Sequence, residues 1–259
     1  MQANTDVSKT STRPEGRPLV LGHRGASADA PENTMAAFRL ALEQGADGFE
    51  LDAWRCRSGE VVVVHDADTV RTTGVRFSVP RTPWSQLQRL DAGAWRGEAH
   101  AGQGIPLLSE VLEAFPRAIV NVELKSEDVG DPLLALEVAR IVRAAGARDR
   151  VLVSSFNPLL VAAFRAASPR VAAGMLFAAD QHWRVRAAFG RFLGTALHPE
   201  RTLVTPERSA SWRESGHAVH VWTVDDPATA EALCAMEVDS VITNRPEVVR
   251  EAVLRATGR

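Results

Sequence analysis

The stretch GFELDAWRCRSGEVVVVHD, residues 48–66, decides which fold this sequence adopts. It contains two apolar segments, 48–54 and 61–66, joined only by RCRSGE. A parallel crossover between strands needs a dozen or more residues, whereas an antiparallel return needs only a few. The SG pair at 58–59 supplies a turn glycine. The stretch therefore predicts one strand of a sheet, followed by a hairpin strand that folds back over the end of that sheet.

Along the rest of the chain, short strand-like segments alternate with Ala- and Leu-rich helical segments, a pattern typical of a parallel sheet. The strand candidates are 19–24, 48–54, 61–66, 118–125, 151–156, 171–178, 195–198, 218–224 and 240–243. The helix candidates are 33–44, 108–115, 132–146, 158–167, 206–215, 227–236 and 246–256, with Asn33, Ser109 and Asp226-Pro227 as predicted helix starts. Because 61–66 belongs to the hairpin, eight strands remain. We therefore expect an α/β fold, a TIM (β/α)8 barrel.

The chain divides into three parts by its local composition. Residues 1–17 are polar and are expected to form a disordered tail. Residues 18–259 are expected to form a single catalytic barrel domain. Within it, residues 67–105 interrupt the alternation, with Pro80, Pro83 and five glycines. This segment predicts a small insertion subdomain or lid after the second barrel strand, on the face where loops carry function.

Charge and composition exclude several classes of protein. A net charge of −2 over 259 residues argues against a nucleic-acid partner. No apolar run approaches the 18 residues of a membrane span, so we expect no integral membrane segment. The N-terminal residues lack the apolar core of a secretory signal, and Cys56 and Cys234 form neither a disulfide framework nor a metal-ligand spacing. We expect a cytoplasmic protein, and the sequence specifies no oligomeric state.

Acidic residues stand at the ends of two predicted strands. Residues i and i+2 of a strand share a face, so Glu50 and Asp52 point the same way, as do Glu123 and Lys125 in NVELK. Buried carboxylates are costly unless they are paired or bind a metal. A structural ion pair with an arginine would explain any one of them. Three at the carboxyl ends of strands instead favour one hard divalent cation, Mg²⁺ or Ca²⁺.

Histidines and cations accompany these carboxylates. His23 ends the first predicted strand and His65 ends the hairpin. Histidine titrates near neutrality and suits acid/base work, although either one alone is more often a structural residue. Arg24 offers a planar fork to a phosphate, whereas Lys125, one of two lysines beside 28 arginines, offers a point charge.

Taken in order, these segments resemble the glycerophosphodiester phosphodiesterase family, in its cytosolic bacterial form. The matching stretches are GHRGAS (22–27), PENTMAAF (31–38), GADGFELDAW (45–54), VVVVHDADTVRTTG (61–74), IPLLSEVL (105–112), NVELK (121–125), VSSFN (153–157), ALHPERTLVT (196–205), VHVWTVDD (219–226) and VDSVITNRP (238–246). They span nearly everything from residue 19 onward. Two departures, Ser58 in the hairpin turn and Ser240 at the last strand, bear no predicted chemistry.

The resemblance implies a TIM barrel with an insertion after its second strand, and it implies roles by position. The acid/base histidines would be His23 and His65, the metal ligands Glu50, Asp52 and Glu123, and the phosphate contacts Arg24 and Lys125. Four further residues would support the site or form a substrate wall: Glu32, Phe156, His198 and Trp222. Asn33 would cap the following helix.

The implied reaction is metal-dependent hydrolysis of a glycerophosphodiester, such as glycerophosphocholine or glycerophosphoethanolamine, through a 1,2-cyclic phosphate. The products would be glycerol 3-phosphate and an alcohol. One alternative is a lysophospholipase D acting on lysolipids, for which Phe77, Trp84 and Trp95 are candidate apolar contacts. Another is a catalytically silent barrel that binds a phosphorylated ligand or a partner protein. A last one is an enolising barrel with Lys125 as base, which leaves Arg24 and both histidines without a role.

Overall fold

A computed structural model describes residues 16–127, 130–180 and 194–259; most of the predicted tail, residues 1–15, lies outside these ranges. Nine strands form one sheet: β1 (Leu19–Gly22), β2 (Gly48–Arg55), β3 (Val61–Val63), β4 (Ile119–Leu124), β5 (Val151–Ser155), β6 (Ala172–Phe177), β7 (Ala196–Pro199), β8 (Ala218–Val221) and β9 (Ser240–Thr243). Every strand except β3 pairs in parallel with its barrel neighbours, and β1 pairs with both β2 and β9. The eight parallel strands therefore close into the predicted TIM barrel.

The helices of the described ranges follow the strands. They are α1 (Met35–Glu43), α2 (Val70–Thr73), α3 (Trp84–Leu87), α4 (Leu108–Ala114), α5 (Pro132–Ala144), α6 (Pro158–Ala167), α7 (Pro206–Glu214), α8 (Pro227–Ala235) and α9 (Pro246–Ala256). Short 3₁₀ turns cover Val79–Arg81, Ala94–Arg96, Glu98–His100 and Arg201–Leu203. No helix within these ranges is both long and apolar enough to cross a membrane.

Strand β3 is the ninth strand that the short 55–60 connection predicts. It runs antiparallel to the outer end of β2, with Val63 opposite Ala53 and Val61 opposite Arg55. The backbone N–H of Cys56 donates to the carbonyl of Glu60 at 2.9 Å, which closes the turn. The hairpin therefore adds to the edge of β2 without entering the closed barrel, and the prediction from this segment is confirmed.

Four of the nine helices in the described ranges begin with a capping side chain followed by proline. The side chains of Asp131, Asn157, Thr205 and Asp226 each accept an N–H of the first turn, and a proline comes next in all four. The predicted start at Asp226 is confirmed. The predicted starts at Asn33 and Ser109 are wrong.

The two wrong starts have simple structural reasons. Thr34 caps α1, since its Oγ1 accepts from the N–H of Ala37 at 3.2 Å, and this leaves Asn33 free to turn its side chain elsewhere. Helix α4 begins at Leu108, as the range 108–115 predicts, but its N-cap is Leu107 and not Ser109. Glu110 accepts from the N–H of Leu107 at 2.9 Å.

The main apolar core lies between the sheet and the outer helices. Phe38 of α1 stacks on Phe49 of β2 with ring centroids 4.3 Å apart, and Phe115 meets Phe49 edge-on at 5.3 Å. Because Phe49 points outward, Glu50 and Asp52 must alternate to the opposite side. Gly48 allows β2 to lie close against β4, since a Cβ there would lie 1.8 Å from the carbonyl oxygen of Ile119.

The inserted segment 67–105 has an apolar cluster of its own. Val79, Leu87 and Ile105 pack with Trp54 and Val62 of the hairpin. Its helices are only four residues long, so this packing, more than helix propensity, stabilises the segment. The insertion is therefore built onto the β2–β3 hairpin, next to the carboxyl end of the barrel.

Candidate active site

The sharp turn after β1 brings Arg24 to the barrel mouth. Arg24 and Gly25 both have positive φ, 55° and 85°, and a Cβ on Gly25 would lie 2.5 Å from the carbonyl carbon of Ala37. Only glycine fits this close approach to α1. The turn directs the backbone N–H of Arg24 to Oε2 of Glu50 at 2.9 Å, so the GHRG segment binds the acidic strand directly.

Three carboxylates converge where β2 and β4 run side by side. Asp52 lies opposite Glu123 in the parallel register, and Glu50 is two residues earlier on the same face of β2. One oxygen of each carboxylate lies within 4.8 Å of the others. Glu50 and Asp52 are only 4% and 1% exposed. The structure thus brings together the three residues predicted as metal ligands.

Burial and neighbouring charges shift the pKa values of these carboxyls in different directions. Burial, together with the charge of Asp52, raises the pKa of Glu50 well above its usual range and that of Glu123 to about 7. Burial acts in the same sense on Asp52, but the charges of Lys125 and Arg24 overcome it and lower the pKa of that carboxyl. Three ionised carboxylates would carry more negative charge than Arg24 and Lys125 neutralise, so Glu50 and Glu123 hold their protons more tightly than isolated carboxyls do.

The free oxygen atoms of the cluster fit a divalent cation. Oε1 of Glu50 and Oδ1 of Asp52 are buried and accept no hydrogen bond from the described residues. Unpartnered buried carboxylate oxygens are costly. A set of three carboxylates is also the donor type that hard cations prefer. Lys125 Nζ stands beside the set, 2.8 Å from Oε1 of Glu123 and 3.4 Å from Oδ1 of Asp52.

Asn33 orients Asp52, a function that the sequence reasoning missed. Its Nδ2 donates to Oδ2 of Asp52 at 2.8 Å, and its Oδ1 accepts from the backbone N–H of Asp52 at 3.3 Å. Asn33 adopts φ of 58°, a conformation that asparagine tolerates better than most residues. Within the PENT motif, Asn33 therefore holds Asp52 of the acidic cluster, and Thr34 caps the helix.

His23 is held in one tautomer by a residue from the opposite end of the chain. Nδ2 of Asn244 donates to Oδ2 of Asp225 at 2.6 Å, which turns Oδ1 of Asn244 toward His23. Since that oxygen only accepts, Nδ1 of His23 must be the donor at 2.7 Å. Nε2 is then a free lone pair, 4.0 Å from Oε2 of Glu50. Burial, with the adjacent Arg24 charge, lowers the pKa of His23 to about 4, so the ring is neutral.

His65 is held differently, by a carboxylate. Its Nδ1 lies 2.7 Å from Oδ1 of Asp66, and its carbonyl oxygen accepts from Nε1 of Trp54 at 3.1 Å. The two contacts fix both the ring and the backbone at the end of the hairpin. Asp66 and Asn244 lie in the matching stretches 61–74 and 238–246, but the sequence predicted no role for either residue. Asp66 directly follows His65, but no sequence signal links Asn244 to His23.

Arg24 lies between two carboxylates. Its Nη1 donates to Oε1 of Glu32 at 3.0 Å, and its Nε lies 3.3 Å from Oδ2 of Asp52. Glu32 therefore contacts Arg24 directly, and its supporting role in the site stays a prediction. Arg24 and Lys125 approach the acidic cluster from different strands, so the rim of the cluster carries two positive charges.

The remaining predicted site residues fall into two groups. Phe156 and Trp222, which follow β5 and β8, meet edge-on with centroids 5.7 Å apart and are both partly exposed. His198 is fully buried, so the expectation that its side chain faces the substrate is not met. Its ring packs beside His220 at 4.7 Å, and its carbonyl oxygen accepts from Nε1 of Trp222 at 2.8 Å.

Fold and geometry together define a class of protein. At the carboxyl ends of the strands of a (β/α)8 barrel, carboxylates suited to a divalent cation lie among two histidines and two cationic side chains. This is the face on which such barrels carry enzyme sites.

Comparison with known proteins makes the identification specific. The glycerophosphoryl diester phosphodiesterase family matches residues 23–248, and the chain belongs to this family. A glycerophosphodiester phosphodiesterase of Caldanaerobacter subterraneus subsp. tengcongensis is 34% identical over 235 residues, 89% of this chain and 96% of the relative. The predicted family is therefore confirmed, and the protein is an enzyme, a phosphoric diester hydrolase.

Two solved structures share the architecture. An Oleispira antarctica phosphodiesterase in complex with the product sn-glycerol-3-phosphate has a TM-score of 0.83 at 28% identity, over 92% of this chain and 97% of that one. A glycerophosphodiester phosphodiesterase from Agrobacterium tumefaciens str. C58 has a TM-score of 0.77 at 28% identity, over 90% and 99%. Both support the closed barrel described above.

Proposed function

We propose that this enzyme hydrolyses small glycerophosphodiesters, such as glycerophosphocholine or glycerophosphoethanolamine, to glycerol 3-phosphate and the free alcohol. One observation carries the proposal: two histidines near one acidic cluster have opposite kinds of partner. Nδ1 of His23 donates to a neutral amide, whereas Nδ1 of His65 faces a carboxylate. This difference supplies one histidine suited to accept a proton and one suited to donate a proton.

Glu50, Asp52 and Glu123 would hold one divalent cation, Mg²⁺ or Ca²⁺. When bound, the cation supplies positive charge for the carboxylates and for the phosphoryl oxygens of the substrate. Arg24 and Lys125 lie at the rim of the same cluster and would contact the remaining phosphate oxygens. Together these groups would stabilise the negative charge that develops at phosphorus.

His23 would act as the base of the first step. Its free Nε2 takes the proton of the glycerol 2-hydroxyl while that oxygen attacks phosphorus. His65 donates a proton to the oxygen of the departing alcohol as its bond to phosphorus breaks. The product of this step is a 1,2-cyclic phosphate. Water then opens the ring, giving its proton to His65, while His23 returns its proton to the 2-hydroxyl oxygen.

The test is release of glycerol 3-phosphate from a panel of head groups, measured after chelation and again with each cation added. We expect activity to depend on the cation. His23→Ala and His65→Ala should each lower kcat by about 10²–10⁴-fold, the usual worth of positioned proton transfer. His100→Ala, in the insertion, is the matched control and should keep wild-type turnover. Near-wild-type turnover of either site variant with cation present would refute the assignment.

The lysophospholipase D alternative has weaker support. Phe77 and Trp84 pack against the apolar cluster of the insertion, which leaves Trp95, 41% exposed, as the one strongly exposed aromatic of the three candidates. One exposed ring is small for an acyl chain. Turnover of glycerophosphocholine against lysophosphatidylcholine separates the two substrates. A silent barrel would show no cation-dependent hydrolysis of any diester. A cytoplasmic location stays a prediction from sequence.

A further inference from the structure

Arg71, on the short helix α2 of the insertion, holds two acidic residues at once. Its Nη1 and Nη2 donate to the two oxygens of Glu32 at 2.7 and 2.8 Å, and its Nε donates to Oδ2 of Asp66 at 2.6 Å. All three guanidinium nitrogens are therefore in use. Glu32 belongs to the loop between β1 and α1, whereas Asp66 follows the hairpin, so Arg71 ties the insertion to two parts of the mouth.

Each of these acidic residues also contacts one residue of the site. Oδ1 of Asp66, the oxygen that Arg71 does not touch, lies 2.7 Å from Nδ1 of His65. Oε1 of Glu32 also accepts from Nη1 of Arg24 at 3.0 Å. Arg71 thus acts on His65 through Asp66 and on Arg24 through Glu32. None of its described contacts is with the acidic cluster itself.

We propose that Arg71 is a positioning residue for hydrolysis: it fixes the Asp66 carboxylate, and through it the ring of His65, at the departing alcohol. This inference rests on the proposed function of His65. A carboxylate held by a second partner cannot rotate away from the imidazole, so the ring keeps the orientation that leaves Nε2 toward the site. The contact with Glu32 makes this orientation depend on the insertion being seated against the barrel.

The side chain chemistry and exposure favour a positioning role over a stabilising one. A planar fork with donors on separate edges can bind two carboxylates in one plane, whereas a lysine ammonium cannot bridge the same span in fixed geometry. The Arg71 side chain is 42% exposed. Ion pairs this exposed contribute little to stability. Loss of Arg71 should therefore leave the fold intact but disturb the orientation of the His65 ring, which Asp66 contacts.

The test compares two leaving groups in wild type and in Arg71→Met. An alkyl alcohol, as in glycerophosphoethanolamine, needs a proton to leave, whereas the p-nitrophenolate of the p-nitrophenyl ester of glycerol 3-phosphate leaves without one. Arg71→Met should lower kcat for the alkyl ester roughly tenfold to a hundredfold and for the nitrophenyl ester by less than about threefold. An equal loss on both esters, or a change confined to KM, would overturn the proposal.

The two esters also distinguish failure of the Arg71 role from failure of the proposed hydrolysis. If wild type hydrolyses neither ester, the proposed function fails; if wild type is active and the ratio of the two rates is unchanged in Arg71→Met, only the role of Arg71 fails. In a His65→Ala background, Arg71→Met should have no further effect on that ratio, because the residue it positions is gone. An undiminished further effect would contradict a path through His65.

The insertion offers a matched control. Arg76 forms an ion pair with Asp68 at 2.5 Å in the same segment, is 70% exposed, and contacts no residue of the site as described. Arg76→Met should hydrolyse both esters at wild-type rates. Should Arg71→Met fail to fold, Arg71→Lys keeps the charge and carries the same comparison. The same selective loss is expected for the alkyl ester, and an equal loss on both esters would again overturn the role of Arg71.

Discussion

Nζ of Lys125 lies 2.8 Å from Oε1 of Glu123 and 3.4 Å from Oδ1 of Asp52, with 15% of its side chain exposed. The single positive charge of the ammonium group therefore lies between two carboxylates of the cluster, and a proton of the group can still turn toward a phosphate. It is one of only two lysines in a chain with 28 arginines. The choice has a physical reason, because an ammonium is compact and an arginine fork is broad and binds carboxylates in pairs.

Lys125→Arg is expected to fold and to lose most of its activity. The larger guanidinium would grip Glu123 and Asp52 together and displace the phosphate, and a misplacement of about 1 Å in a site can cost roughly 10²-fold in rate. Steady-state kinetics and a thermal melt, both with cation present, measure the two effects. A fully active variant would mean that the lysine has no chemical reason to be there.

Asn244→Leu should lower kcat with little change in KM. The apolar side chain fills the same space but no longer accepts from Nδ1 of His23, so the free lone pair need not stay on Nε2. We expect a loss of roughly tenfold to a hundredfold, as for other partners of site residues. Nitrogen NMR of the His23 ring should show a mixture of tautomers in place of one.

Ser27→Ala is the control for that experiment. The Ser27 hydroxyl donates to the same Oδ1 of Asn244 at 2.7 Å, so its loss leaves the histidine contact in place. Wild-type kinetics are expected. A single His23 tautomer in Asn244→Leu would show that Asn244 does not select it.

Cation affinity should rise with pH across neutrality. In the metal-free protein the pKa of Glu123 is about 7, and that of Glu50 is also raised, chiefly by burial and then by Asp52. Below those values the carboxyls hold protons that a cation must displace; above them the protons are already gone. The dissociation constant for Mn²⁺ or Mg²⁺ should therefore fall between about pH 6 and 8, by up to about tenfold per pH unit for each proton released.

Isothermal titration in buffers with different ionisation heats counts those protons directly. Glu123→Gln, which cannot ionise, should bind the cation more weakly and release fewer protons. A dissociation constant that stays the same across this pH range would contradict the raised pKa values.

Acid should destabilise the protein through His220. Burial lowers the pKa of this fully buried histidine to about 4, against an unfolded value near 6.5. Between these values the unfolded chain binds a proton that the folded chain does not, so the free energy of unfolding falls as pH falls below about 6.5. The contribution is about 1.4 kcal/mol per pH unit.

Comparison with His220→Asn isolates this effect. Asparagine keeps a partner for Oγ of Ser240, which lies 2.8 Å from Nδ1 of His220, but it does not titrate. Urea unfolding from about pH 4 to 7, with chelator present throughout, should give a shallower pH dependence in the variant. Parallel curves for the two proteins would show that His220 is not the group responsible.

Much of the architecture was predictable because it depends on local features. The six residues 55–60 are too short for a crossover, and this length alone separates eight barrel strands from the hairpin. The strand period places Glu50, Asp52 and Glu123 on shared faces, and the register of β2 and β4 then joins them. These inferences need only chain length and side-chain alternation, both of which can be derived from sequence.

The missed contacts depend on what a side chain does in three dimensions. Asn33 was expected to cap a helix, a role asparagine often has, yet the adjacent Thr34 does so and Asn33 turns to Asp52. His198 was expected near the substrate, but the shape of the barrel interior buries it beside His220. Sequence motifs indicate which residues matter, whereas the choice between two polar neighbours is made by packing.

The contact between His23 and Asn244 joins residues 221 positions apart, one at the end of the first barrel strand and one just after the last. A nascent chain therefore cannot hold the His23 ring in this orientation until the final strand has been synthesised and docked beside the first. Partly assembled barrels would hold the acidic residues yet lack an aligned histidine. With His23 as the proposed base, turnover requires the complete ring of strands, and activity is expected only once the last strand has docked.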